Sequence, residues 1–220
     1  MILEIDNVEL SFQGKQILNG IYIKAETGTI TGILGSNGSG KSCLLNIIFG
    51  NLNSKYKLVR IDSKPILIPL YKTKFTKLLP QHSFLPRLKL ASIFRLYHVD
   101  WKNFCSQFQE FSKYKNMNAH KLSGGERRLV ETYLVLKSDG QIVLLDEPFS
   151  HIAPIYIERF KAIIKEEMKT KVVLMTDHLY EHLIDICDTI YLLKNGCTMK
   201  INSLSELEDY KYVSSLKLSD

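Results

Sequence analysis

Long apolar runs are missing from this 220-residue sequence: the longest, IVLL, YLVL, VVLM and IYLL, hold four residues each. A membrane-spanning helix needs about 20 such residues, so the chain is expected to carry no transmembrane segment of its own. The four cysteines, Cys43, Cys105, Cys187 and Cys197, contain no CxxC pair, which predicts reduced thiols in a cytosolic protein. Low-complexity stretches, long linkers and internal repeats are absent too, leaving one domain with a subdomain as the default. The opening MILEIDNVEL has acids where a secretory signal needs a basic region, and no small-residue cleavage site follows; no such signal is expected. Ordinary contents of 45% hydrophobic and 24% charged residues exclude disorder and collagen-like structure. A chain of this length can bury about 70% of its unfolded surface.

Acids are scarce in one place. Residues 51–90 hold nine basic side chains (Lys55, Lys57, Arg60, Lys64, Lys72, Lys74, Lys77, Arg87 and Lys89) against the single acid Asp62, a local charge of +8 in a chain of net +6. The window could face nucleic acid, anionic lipid, an acidic partner or solvent.

The hydrophobic pattern predicts an α/β fold. Alternation near Ile2–Asp6 and Ile21–Ile23 reads as short antiparallel strands. ITGIL (30–34) reads as a buried strand entering a glycine-rich turn, and the KSCLLNIIFG that follows has helical spacing. Further strands are expected at 141–146, 171–177 and 188–193, separated by helices at 154–168 and 179–187. That alternation predicts a mostly parallel sheet with right-handed crossovers. Residues 84–138 are helix-like without a convincing strand, an inserted helical lobe.

Three motifs carry chemistry. Gly35-Ser36-Asn37-Gly38-Ser39-Gly40-Lys41-Ser42 matches G-x-x-x-x-G-K-[ST], with a predicted strand before it and a predicted helix after it. Its glycines let successive backbone N–H groups converge on phosphate oxygens at a helix N-terminus. Lys41 can charge-pair with the outer phosphates and the Ser42 hydroxyl can ligate Mg²⁺. Ile142–Leu145 end in Asp146-Glu147, so Asp146 should sit at the carboxyl end of the sheet, able to hold the Mg²⁺ shell, with Glu147 placed to orient or deprotonate a water. Leu122-Ser123-Gly124-Gly125-Glu126 fits a helix start with Ser123 as cap and Glu126 at the capping-box position.

Together these segments resemble the nucleotide-binding domain of ATP-binding-cassette (ABC) proteins over roughly 2–202. The resemblance implies an ABC ATPase of the P-loop NTPase class: a mostly parallel core sheet, an antiparallel N-terminal β subdomain and an inserted helical lobe. One such domain would span 1–220, with its core in 1–83 and 139–220 and its lobe, carrying the LSGGE signature, in 84–138. It implies ATP and Mg²⁺, bound by Gly35–Cys43, with Phe12 stacking on adenine and Ser42, Gln81 and Asp146 on the metal. Lys41, Gln81, Glu147 and His178 are the expected catalytic set. Ser123, Gly124 and Gly125 are expected to reach the γ-phosphate held by a second copy of the ATPase subunit in a head-to-tail dimer.

Two features pull away from that pattern. His178-Leu179-Tyr180-Glu181-His182 also fits H-x-x-E-H, a zinc-protease signature, but His178 falls at a predicted strand end. His82, His98, His120 and His151 show no ligand spacing, and Trp101 reads as packing in the lobe. Ala153 stands where the family has an aspartate that couples the two ATP sites. LSGGERR, DEPF and TDH-x₂-EHL look similar to the lipopolysaccharide-export branch. The expected function is the ATPase of an ABC transporter, cytoplasmic and peripheral on the inner face of the membrane through separate transmembrane permease subunits. The alternative is a soluble ABC ATPase for iron–sulfur assembly or nucleic-acid work, nucleic acid being the minority view because the chain has one cassette and no base-stacking motif. The basic window is expected to face the membrane surface.

Overall fold

A computed structural model describes residues 1–178, 180–203 and 205–209. The chain opens with a hairpin of β1 (Ile2–Phe12) and β2 (Lys15–Glu26), paired antiparallel from Ile2↔Glu26 to Phe12↔Lys15. The expectation of short strands is corrected here, since they run 11 and 12 residues. The linking residues Gln13 and Gly14 both take positive φ, 48° and 79°, the two-residue turn whose twist matches that of its flanking strands. Register shifts between Asp6 and Ser11 interrupt the alternation, so the sequence pattern looks shorter than the strand.

Next come β3 (Ile30–Leu34), α1 (Lys41–Phe49), β4 (Tyr56–Ile61), β5 (Lys64–Pro65) and β6 (Thr76–Leu79). From β6 to β7 (Ile142–Asp146) the named elements are helical: α2 (Leu90–Leu96), α3 (Trp101–Gln107), 3₁₀ turns at Gln109–Tyr114 and Ala119–Lys121, and α4 (Gly124–Lys137). The remainder runs α5 (Pro154–Glu167), β8 (Val172–Asp177), α6 (Tyr180–Ile186), β9 (Thr189–Lys194), β10 (Cys197–Ile201) and α7 (Ser205–Asp209). The expected strands and helices after residue 140 lie within a residue or two of these bounds. β4, β5, β6 and β10 are additions. β6 escapes a periodicity search because it has four residues, Lys77 among them, at the edge of its sheet, where charge blunts pairing.

The strands form two sheets. β2-β1-β4-β5 is wholly antiparallel, and β10-β9-β3-β8-β7-β6 is parallel except for β10. This is the expected α/β class. The central strands are buried on both faces, which is why they read as unbroken apolar runs. Ile33, Leu144, Val172 and Leu174 join a core with α1 and the antiparallel sheet. Ile30, Leu34, Val143, Leu145, Val173 and Met175 join a second core with α4, α5 and the aromatic side chains of the helical segment. There Phe104 is the hub, its ring 4.9–5.4 Å from Phe94, Trp101, Phe108, Phe111 and Tyr133. Trp101 also meets Phe94 edge-on at 4.8 Å.

The pairings Leu34↔Asp177 and Asp146↔Thr176 bring the carboxyl ends of β3, β8 and β7 level. An open parallel sheet presents its ligands there. The basic window spreads over β4, the β4–β5 turn, the 3₁₀ turn at Leu70–Thr73, β6 and the approach to α2. Lys55 pairs with Glu9, Arg60 with Asp6, and Lys57 donates to the Ile47 carbonyl.

Candidate active site

The segment Gly35–Gly40 leaves the buried end of β3 and turns straight into α1. Gly38 and Gly40 take φ of 78° and 105°, conformations that L side chains rarely adopt. At Gly40 a Cβ would also lie 2.9 Å from Leu18 Cδ2. Helix α1 has no side-chain cap at Gly40, so its first N–H groups are left to a ligand. Lys41 is only 5% exposed, and its Nζ donates to the carbonyls of Gly35 (2.6 Å) and Ser36 (3.2 Å). Burial pulls its pKa down, although Glu147, Asp146 and Asp177 favour the charged form.

β8 lies between β3 and β7, so Asp146 faces the phosphate-loop residues across one intervening strand. Asp146 is 1% exposed. Its Oδ1 accepts from Thr176 Oγ1 at 2.8 Å, and the nearby Ser42 hydroxyl also favours the ionised carboxylate. Burial pushes its pKa up, and these two hydroxyls pull against it. Asp146 Oδ2 is buried without a hydrogen-bond partner, a cost a cation would relieve. The Ser42 hydroxyl, the Asp146 carboxylate and the Gln81 side-chain carbonyl are hard oxygen donors, which suits Mg²⁺. Among the described residues no cluster of three or more His, Cys, Asp or Glu side chains could cage a metal. Mg²⁺ does not require one, since it is usually held by one or two carboxylates together with substrate phosphates.

Glu147 follows β7 in the left-handed region, φ 49°, a strained conformation for a non-glycine residue that is often found at functional sites. Three side chains converge on its carboxylate. Gln81 Nε2 lies 3.4 Å and Ser150 Oγ 3.2 Å from Oε2, and His178 Nδ1 lies 3.4 Å from Oε1. A cleft of about 380 Å³ opens beside them, lined by Phe12, Ile17, Asn37, Gly38, Gly40, Lys41, Ser42, Cys43, Gln81, Glu147 and His178. A second, of about 400 Å³, shares Ser42, Cys43 and Gln81 and adds Asp146.

Of the sequence-predicted residues, Phe12, Gly35–Cys43, Gln81, Asp146, Glu147 and His178 thus gather at one end of the parallel sheet. Phe12 stands 47% exposed at the tip of β1. Ser123, Gly124 and Gly125 do not line the cleft; they begin α4. Ser123 Oγ accepts from the Glu126 N–H (3.3 Å) and Glu126 Oε2 accepts from the Ser123 N–H (2.9 Å), a complete capping box. Of the H-x-x-E-H pair, His178 faces Glu147 and Asp177, while the His182 ring lies 5.2 Å from Phe149; Leu179 lies outside the described residues. Ile17 and Ser150 join the site without belonging to the sequence-predicted set. Ser150's signal is its place three residues after Glu147, and Ile17 reaches the cleft only through the hairpin's fold.

The ABC transporter family profile matches residues 18–150. The lipopolysaccharide export system ATP-binding protein LptB of Acidithiobacillus ferridurans is 26% identical, over 100% of this chain and 97% of that protein. LptB of Haemophilus influenzae is 28% identical, over 89% and 88% respectively. The tungstate uptake system ATP-binding protein TupC of Peptoclostridium acidaminophilum is 29% identical, over 89% and 96%. Among solved structures, an ATP-binding subunit of an ABC transporter superposes with a TM-score of 0.81 at 19% identity, covering 96% of this chain and 94% of that one. An ATP-bound bacterial Atm1-family ABC exporter gives 0.83 at 19% identity, covering 94% of this chain and 40% of the exporter.

Proposed function

This chain belongs to the ABC transporter family, and from that premise we propose that it binds Mg²⁺-ATP and hydrolyses it to drive transport through separate membrane subunits. The observation that carries the reading is the convergence of Gln81, Ser150 and His178 on the Glu147 carboxylate beside Lys41. Lys41 and the loop amides would neutralise the outer phosphates. Glu147 would accept a hydrogen bond or a proton from the attacking water, with Gln81 and His178 fixing the direction of its oxygens. Ser42, Asp146 and Gln81 would hold Mg²⁺, which when bound neutralises charge on the phosphates. Phe12, exposed at the mouth of the cleft, would stack on the adenine.

The LSGGE segment supports a composite site. It lies outside the cleft of its own chain, yet it opens α4 with a capped N-terminus, a favourable place for an anion. A second copy docked head to tail would bring each Ser123–Gly125 to the other's phosphates. Among the described residues no helix is long and apolar enough to cross a membrane; membrane passage would lie in partner subunits, with this chain docked to them on the cytoplasmic face. Leu67, Ile68, Tyr71 and Phe75 are exposed and alternate along the sequence with Lys64, Lys72 and Lys74, side chains suited to such contacts.

Glu147→Gln should leave ATP binding intact while slowing hydrolysis by roughly 10²–10⁴-fold. Lys41→Ala should abolish tight ATP binding in calorimetry. Near-normal turnover in the Glu147 variant would sink the assignment.

A further inference from the structure

One turn of α4 carries a buried ion pair that does not itself line the nucleotide cleft. Arg128 is 5% and Glu131 1% exposed, and their side chains approach to 4.0 Å. Positions i and i+3 share a helix face, and this pair points at two loops of the proposed site. Arg128 Nη1 donates to the Pro80 carbonyl at 2.6 Å, just before Gln81. Its Nη2 donates to the Asp146 carbonyl and, at 2.9 Å, to that of Glu147. Glu131 Oε1 accepts from the Ser83 hydroxyl, from the Phe84 N–H at 3.0 Å and from the Leu85 N–H at 3.4 Å. The chain around Gln81 is therefore gripped on both sides. The same guanidinium holds the bend that puts Glu147 at positive φ.

A buried ion pair rarely stabilises a fold better than apolar residues of the same volume. What a guanidinium offers instead is a rigid fork of donors that can serve several carbonyls at fixed angles. Among the described residues, the side-chain hydrogen bonds of this pair fall on the backbone or hydroxyl groups flanking Gln81 and on the carbonyls of the two acids. We propose that Arg128 and Glu131 are positioning residues for hydrolysis, holding Gln81 and Glu147 in register with each other and with α4. This rests on the reading that Glu147 orients the attacking water.

The test is the paired replacement Arg128→Met with Glu131→Leu, which removes both charges together and so leaves neither buried alone. The expected protein folds and binds ATP within about threefold of wild type, since no phosphate contact is lost. Its turnover should fall by roughly 10–100-fold, the scale of a small misplacement of reacting groups. In a Glu147→Gln background the same pair should cost nothing further, because residues acting as a unit are non-additive. A purely structural role would instead move ATP affinity, or multiply the two losses, and either result overturns the proposal. Arg128→Lys, which keeps the charge but can serve fewer carbonyls, guards against misfolding of the pair; it should be folded and intermediate in rate, and a wild-type rate would count against us. If Glu147→Gln alone turns over normally, the reading of Glu147 fails and takes the proposal with it. If that variant is slow and the double replacement is fast, only the proposal fails.

Discussion

Gly124 and Gly125 are adjacent, both in the first turn of α4, and the structure assigns them opposite tolerances. A Cβ on Gly124 would meet nothing within 4 Å, whereas one on Gly125 would lie 2.7 Å from the His151 carbonyl oxygen. That oxygen belongs to backbone, in a residue already at φ 63°, so it cannot swing aside like a side-chain end. Replacing either glycine by alanine restricts the unfolded chain and improves helix propensity by about 0.5–1 kcal/mol, a gain common to both. The difference between the two variants is therefore the steric cost alone, about 1–3 kcal/mol for overpacking. In a chain of this size that corresponds to a Tm gap of about 2–12 °C, Gly125→Ala being the lower. Urea and thermal unfolding without nucleotide would measure it, free of any effect on phosphate contact. Equal stability of the two variants would refute the claim that α4 starts hard against the loop after Glu147.

Two other perturbations have clear signs. Ala153 occupies the N-cap of α5, with Pro154 following and no side-chain cap bond; Ala153→Asp should stabilise the protein by about 1 kcal/mol, measured as a shift in urea midpoint. Phe104→Ala removes the hub of the aromatic cluster and should cost about 3–5 kcal/mol, seen as a large drop in Tm.

The parallel sheet was legible because strands buried on both faces, such as Ile142–Leu145 and Val172–Met175, are written as continuous apolar runs between helical patterns. The phosphate loop was legible because Gly38 and Gly40 need conformations only glycine adopts readily. What remained hidden depended on the folded chain. The length of the hairpin rests on two positive-φ residues and on bulges that scramble its alternation, and β6 shows a lysine-bearing edge with little apolar signal. Arg128 and Glu131 look like ordinary charges on a helix, and only the packing of α4 against Pro80–Leu85 and Asp146–Glu147 turns them inward. Thr176, which holds Asp146 Oδ1, reads as one more strand residue until β8 is placed between β3 and β7.

The composite ATP site can be tested by mixing two disabled proteins. Lys41→Ala removes the phosphate lysine. Ser123→Asp keeps a good helix cap while setting a negative charge where the other subunit's phosphate would lie. Each alone should hydrolyse almost no ATP. In a mixed dimer one site carries both lesions and the other neither, so combining the two should restore a substantial part of the wild-type rate. Mixtures as inactive as the separate proteins would contradict a site shared between two copies of this chain.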